Sequence, residues 1–476
     1  MIKKHNAMPR RRFLCDAGIS VLSLCCTTAG AAEASALESS PARKPNIIVI
    51  LADDLGYQDT GAYGCKDIPT PHIDSLARNG VRFTDAYITS PVCSPSRAGL
   101  LTGRYQQRYG FEFLCDIRVP ADCAAKMGLP AAQKTIADRL KALGYVTGAL
   151  GKWHVGFEAQ FLPTQRGFDE FYGHPEQPRY KEPPPVDTLS RPPPPKEGYY
   201  GTDDLTDRAV DFIRRHKDEP FFLYLAYQAV HMPLQAPEKY LARFPKKESG
   251  RKETQEEKNR RLYAAMTSAM DDGIGRVLQS LQETGREDTL IFFLSDNGGH
   301  KFSACNLPLR GKKGDVWEGG IRTPLLVQWK GTLNGGDVFR HPVSSLDILP
   351  TAIVAAAGKI DPHCKLDGVD LLPYLSGKNS TGPHETLYWR FGPQWAVRHG
   401  DWKLVQGREG KNLAGQSPQI APVGQMRLFN LAEDIGEATD LAAEYPEKVR
   451  ELRDLYDQWN AQLADPLWPP YLPSGR

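Results

Sequence analysis

The sequence predicts an α/β protein: a large, mainly parallel mixed sheet with helices on both faces, then a small C-terminal α+β domain with an antiparallel sheet. Three observations predict it. Short continuous apolar runs, such as "NIIVIL" within "KPNIIVILADD", read as strands buried on both faces. Segments with helical periodicity alternate with these runs, the pattern of parallel strands joined by crossover helices. From about Pro383 the texture changes to the short alternating segments "ETLYWRF", "WAVRHGDWKLV" and "LFNL", closed by a helical "PEKVRELRDLYDQWNAQL".

In chain order, residues 1–36 come first. "RRRFL" precedes the apolar "AGISVLSLCC" and the small-residue stretch "TTAGAAEASA", which reads as an export signal cleaved between Ala32 and Leu37. Its Arg-Arg-x-Phe-Leu arrangement resembles a twin-arginine signal, so the expected location is periplasmic or extracellular in a bacterium. Lipid attachment at Cys25 or Cys26 and a buried structural helix are the alternatives. The apolar run is too short to anchor the mature chain across a bilayer. Cys15, Cys25 and Cys26 fall in this segment. The other six cysteines are too sparse for a disulfide scaffold and match no zinc spacing. Whether Cys115 and Cys123 close a short loop stays open.

Residues 37–382 are expected to form the catalytic domain and 383–476 the C-terminal one. The first strand ends in Asp53 and Asp54. A helical "KTIADRLKALG" leads to "YVTGALGKWH", a strand ending near Lys152 and His154. The Pro-rich "YKEPPPVDTLSRPPPPKEG" predicts an extended loop of polyproline character. "TDDLTDRAVDFIRRH" predicts a helix, "PFFLYLAYQAVHMP" a strand that delivers His231, and 256–284 a long helix. "TLIFFLSDNGG" then delivers Asp296 and Asn297. In open α/β sheets, sites form beyond the carboxyl ends of the strands. Four strands thus bring charged and metal-binding groups to one edge.

Asp53, Asp54, Asp296 and Asn297 offer only hard oxygen donors, which suit Ca²⁺ or Mg²⁺ rather than zinc. A helix cap and a tight Asp-Asn-Gly-Gly turn are the structural alternatives. With 59 Lys and Arg against 57 Asp and Glu, the net charge of +2 gives no basis for nucleic-acid binding. "SPVCSPSRAGLLTGRY" places Cys93 at the head of a predicted helix, whose free N–H groups and dipole favour an anion.

"CSPSRAGLLTGRY" resembles the signature of the formylglycine-dependent sulfatases, in which C-x-P-x-R marks a cysteine oxidised to an aldehyde. "PNIIVILADDLGY", "GYVTGALGKWHVG", "SDNGG" and "LRGKKGDVWEGGIRTP" are similar to further blocks of that family, in the same order, and the likeness runs from Pro45 to "RHGDWKLV". The resemblance implies an alkaline phosphatase superfamily fold and hydrolysis of sulfate esters through a covalent sulfo-formylglycine intermediate. The chemistry is coherent. A thiolate would leave a thiosulfate ester with no easy exit, whereas an aldehyde hydrate attacks with one hydroxyl and expels sulfate with the other.

By the same resemblance, Cys93 is converted to 3-oxoalanine (formylglycine) by a maturation enzyme of the host. One divalent cation, Ca²⁺ before Mg²⁺, is held by Asp53, Asp54, residue 93, Asp296 and Asn297. Arg97 stabilises the hydrated aldehyde, Lys152 contacts a sulfate oxygen, and His154 partners the diol as base during sulfate release. His231 acts as general acid near the leaving oxygen. Lys313 contacts an ester oxygen in preference to Lys312, which stands where the family often has glycine. The expected substrate is a sulfated carbohydrate or an aryl sulfate. A phosphonate or phosphodiester hydrolase and an inactive binder of sulfated glycan are the rivals. His300, Asn306, Glu112, Tyr172 and His174 flank the blocks as candidates for a sugar-binding rim.

Overall fold

The computed structural model describes residues 43–116, 123, 125–175, 180–189, 197–246, 251–409 and 419–470. The expected export signal, Cys25, Cys26 and part of the Pro-rich segment lie outside them. A nine-stranded sheet forms around β1 (Asn46–Ala52). Its other members are β2 (Val81–Phe83), β4 (Val146–Lys152), β5 (Glu170–His174), β6 (Val186–Asp187), β7 (Phe221–Ala226), β8 (Thr289–Ser295), β9 (Leu325–Trp329) and β10 (Asp337–Phe339). The order is β10-β2-β9-β8-β1-β7-β4-β5-β6. β1 runs parallel to both β7 and β8, and β4 parallel to β7 and β5. β9 and β6 are antiparallel to their neighbours. β3 (Ala86–Tyr87) and β11 (Val343–Ser344) pair separately.

All seven residues of β1 are buried, which explains its unbroken apolar run. Strand alternation sends Ile47, Val49 and Leu51 into one core and Ile48, Ile50 and Ala52 into the other. The first core packs against α2 (Cys93–Thr102), α3 (Ile136–Ala142) and α6 (Ile348–Ala355). The second packs against α1 (Pro71–Arg78), α4 (Gly201–Arg215) and α5 (Gln255–Glu283). Capping boxes start two of these helices: Thr135 with Asp138 opens α3, and Thr254 with Glu257 opens α5.

The C-terminal sheet is antiparallel, in the order β12 (Thr386–Phe391), β13 (Gln394–His399), β14 (Trp402–Gln406) and β15 (Arg427–Asn430). "WAVRHGDWKLV" forms two of these strands, because Gly400 takes a left-handed φ of +57° and turns the chain so that His399 pairs with Trp402. α7 (Pro446–Asn460) buries Leu452, Tyr456 and Trp459 against Trp395, Val397, Leu404 and Leu428. Cys115 and Cys123 are both free thiols.

Candidate active site

The carboxyl ends of β1, β4 and β8 converge on the head of α2. β1 delivers Asp53 and Asp54, and the register that pairs Ala52 with Ser295 sets Asp296 and Asn297 beside them. The backbone N–H of Asp54 donates to Asp296 Oδ1 at 3.3 Å, and Asn297 Nδ2 donates to Asp54 Oδ1 at 2.7 Å. The four expected oxygen donors therefore form one cluster. Asp54 (φ +64°) and His154 (φ +61°) are two of five described non-glycine residues with left-handed backbone. Such strain persists only where the surroundings enforce it.

Three cations surround the carboxylates. Lys152 Nζ donates to Asp53 Oδ2 at 2.6 Å, and Lys313 Nζ lies 2.6 Å from Asp54 Oδ1. Arg97, fully buried, donates through Nε (2.9 Å) and Nη2 (2.7 Å) to Asp296 Oδ2 and through Nη1 to the Lys152 carbonyl at 2.8 Å. Its guanidinium thus braces Asp296 and the end of β4, and no hydrogen bond joins it to Cys93. Burial alone would raise the Asp53 carboxyl, but Lys152, His231, Arg97 and Lys313 together hold it well below the usual carboxylate range. Asp54 is likewise lowered: burial is outweighed chiefly by Lys313 and His231. Burial, then Asp53, pushes Asp296 up to about 6.

Cys93 opens α2 and is buried. Pro95 fits the first turn because no N–H is needed there, and Gly103 (φ +65°) ends the helix with its N–H on the Gly99 carbonyl. Burial raises the Cys93 thiol despite Lys152 and Lys313 nearby. A protonated buried thiol is a poor nucleophile.

The two histidines differ. His154 Nε2 faces the Cys115 carbonyl at 3.2 Å, so its proton belongs there, and Nδ1 is a buried acceptor with no hydrogen-bond partner. Burial and Lys152 keep its pKa well below the ordinary value. The ring is thereby held neutral, with Nδ1 available as an acceptor. His231 donates from Nδ1 to the Met232 carbonyl and turns Nε2 toward Asp54 Oδ2 at 3.7 Å. Burial and Lys313 lower it to about 4.

Asp53 Oδ1, Asp54 Oδ2 and Asn297 Oδ1 are buried without hydrogen-bond partners, and the ligand atoms of Asp53, Asp54 and His231 lie within 4.8 Å of one another. Orphaned buried oxygens cost free energy unless something binds them. Hard oxygens of this kind fit a divalent cation such as Ca²⁺ or Mg²⁺.

The expected rim divides. His300 is half-buried with its ring 5.0 Å from that of Phe302, and its pKa is lowered by burial within the field of Asp54, Lys313, Lys301 and Lys312. Asn306 instead clips the loop, accepting from Gly299 N–H at 2.9 Å and donating to the Gly299 carbonyl at 3.1 Å. Glu112 binds Arg390 at 2.6 Å and the Gly392 N–H, and Tyr172 donates to Asp204, so both are structural. His174 ends β5 and is buried.

Sequence reasoning missed the groups behind Lys313. Glu318, Lys403 and Glu437 are all fully buried, with Lys403 Nζ 2.8 Å from a carboxylate oxygen of each acid. Glu318 and Lys403 lie in quoted sequence blocks, whereas Glu437 had no local signal. Gly298 is also tightly constrained: a Cβ there would lie 1.9 Å from the Gly319 carbonyl oxygen.

The sulfatase family model matches residues 45–358. Arylsulfatase J of Mus musculus is 33% identical, over 90% of this chain and 77% of its own length. N-acetylgalactosamine-6-sulfatase of Homo sapiens is 32% identical, over 90% of this chain and 87% of its own. The crystal structure of Ps i-CgsB in complex with k-i-k-neocarrahexaose superposes with a TM-score of 0.75 at 36% identity, covering 90% of this chain and 95% of that one.

Proposed function

The chain belongs to the sulfatase family and is a sulfuric ester hydrolase, and from that premise we propose that it works through formylglycine at position 93 on a sulfated carbohydrate. The carrying observation is the convergence of three partnerless buried oxygens, three cations and the helix-head cysteine at one sheet edge. Asp53, Asp54, Asp296 and Asn297 would hold one divalent cation, Ca²⁺ for preference, which when bound supplies positive charge to a sulfate oxygen and orients the attacking group. The formylglycine hydrate would supply the attacking hydroxyl. Conversion requires a maturation enzyme in the host.

The chain's own residues then divide the work. Lys152 and Lys313, as point charges, draw the tetrahedral anion against the head of α2. Arg97 fixes Asp296 and the β4 end that carries Lys152. His154 Nδ1 accepts a proton from the hydroxyl at position 93. His231 carries a proton to the leaving oxygen, because a bound anion beside its imidazole raises a pKa that burial and Lys313 otherwise lower.

The substrate class rests on two relatives: the 32%-identical N-acetylgalactosamine-6-sulfatase and Ps i-CgsB, bound to k-i-k-neocarrahexaose. We also propose export of the mature chain, for which the N-terminal sequence is the support. No helix among the described residues is long and apolar enough to cross a membrane. Turnover of an aryl sulfate, a sulfated oligosaccharide and their phosphate analogues tests the reading. Sulfate ester preference with loss of activity in Cys93→Ala is expected. A preference for the phosphate analogue would overturn it.

A further inference from the structure

Lys313 stands on a loop clamped from two sides. On the side of the site, Lys313 N–H donates to the Gly299 carbonyl (3.2 Å), Gly314 N–H to the Pro91 carbonyl (2.8 Å), and Gly298 N–H to the Gly320 carbonyl (3.1 Å). The loop is thereby tied to the segment after Asn297 and to the segment before Cys93. Its other side is held chiefly by residues beyond Pro383. Gln394 Nε2 donates to the Gly314 carbonyl at 2.8 Å, and Arg408 Nη2 lies 2.6 Å from Asp315 Oδ1.

The centre of that outer clamp is ionic and buried. Lys403, on β14, lies 2.8 Å from Glu318 Oε1 and 2.8 Å from Glu437 Oε1, and all three side chains have no exposure. Glu437 Oε2 accepts the Glu318 backbone N–H at 2.8 Å, and the Glu437 carbonyl accepts Arg310 at 2.9 Å. Glu437 is thus bonded just before and just after Lys313, and it adopts a left-handed backbone (φ +51°) to reach both. Arg322 and Tyr87 complete the pairing of Glu318 Oε2. A buried lysine between two acids is weak evidence for stability, since apolar side chains could fill the space as well. It is better explained as a device that fixes geometry.

We propose that Lys403 and Glu437 are positioning residues for hydrolysis: through Glu318 and Arg310 they fix the loop that sets Lys313 against the anion. This goes beyond the proposed function and rests on its reading of Lys313 as an anion contact. A lysine ammonium must sit within a fraction of an ångström of its place to favour a transition state, and misplacement by about 1 Å costs on the order of 10²-fold in rate.

The test uses the full, formylglycine-bearing chain and an aryl sulfate. Lys403→Met, Lys313→Ala and the double variant are compared with Leu452→Ala, which cuts a cavity under α7 in an apolar cluster that contains no residue of the loop and none of the clamp's charged groups. Lys403→Met is expected to lose about tenfold or more in kcat/KM, mostly in kcat, at a temperature where it is folded. Leu452→Ala should stay within about twofold of the parent, and Lys403→Met should add under about twofold to the loss in Lys313→Ala. If Lys403→Met does not fold, Glu437→Ala is read by the same criteria. A loss no larger than that of Leu452→Ala, or a full additional loss in the Lys313→Ala background, overturns the proposal. Should Lys313→Ala itself match the parent, the assignment of Lys313 falls and this inference with it. A parent that hydrolyses no sulfate ester overturns both.

Discussion

Replacing Gly298 by alanine presses two loops of the site apart by a distance the structure supplies. A Cβ at this position meets the Gly319 carbonyl oxygen at 1.9 Å and Gly320 Cα at 2.7 Å, both backbone atoms that cannot swing away as a side chain would. Ordinary contact begins at 3.4 Å, so the loops must separate by about 1.5 Å. One loop carries Asn297 and the other follows Lys313, so the added methyl displaces an oxygen donor relative to an anion contact. A shift of that size predicts a loss of roughly 10²-fold in kcat/KM and of about 1–3 kcal/mol in stability from overpacking. Gly331→Ala is the matched control. Its φ of +77° strains any side chain, yet a Cβ there has open space around it. It should cost about 1–2 kcal/mol and leave kcat/KM unchanged. Aryl sulfate kinetics beside thermal melts of both variants separate the two effects. Activity of Gly298→Ala within about threefold of the parent, or an equal activity loss in Gly331→Ala, would refute the reasoning.

Three other outcomes follow from the same geometry. Arg97→Met strands a buried Asp296 carboxylate and the Lys152 carbonyl, so urea denaturation should show a loss of about 3–5 kcal/mol; a loss under about 1 kcal/mol contradicts the bracing role. Ca²⁺ at a hundredfold excess over its dissociation constant should stabilise the parent by about 2.7 kcal/mol, raising its melting temperature, and should leave Asp53→Asn with Asp54→Asn unmoved; equal shifts in both contradict the oxygen cage. Glu437 is raised from the usual 4.5 to about 7, by burial first and then by Glu318, against the opposing pull of Lys403. The folded state then holds a proton that the unfolded chain releases lower down. The contribution is full below the unfolded value and is lost as pH rises through about 7. Thermal melts from about pH 5 to pH 8 should fall more steeply in the parent than in Glu437→Gln; parallel profiles contradict this.

The central sheet was legible because β1, β7 and β8 are buried on both faces and so read as unbroken apolar runs, with site residues standing where those runs stop. β2, β3, β10 and β11 have two or three residues each, too few for any periodicity to emerge. The antiparallel turn of β9 was equally silent, since pairing direction leaves no trace in an apolar run. Residue types at strand ends indicated the cluster of Asp53, Asp54, Asp296 and Asn297. They could not indicate that Arg97 is directed at Asp296 and Lys152, because that depends on how β4 and α2 face one another. Glu112 and Asn306 illustrate the converse. Each sits next to a recognisable block, and each is engaged in holding chain to chain. The pairing of Glu318, Lys403 and Glu437 joins segments far apart in sequence, so only the fold discloses it.

The most direct test of the chemistry at position 93 is the mass of the tryptic peptide Phe83–Arg97 from protein made in a host that can mature it, measured alongside specific activity. The mass should fall by the difference between H₂S and O, and activity should rise in proportion to the converted fraction. Full activity in protein whose Cys93 keeps an intact thiol would contradict the account.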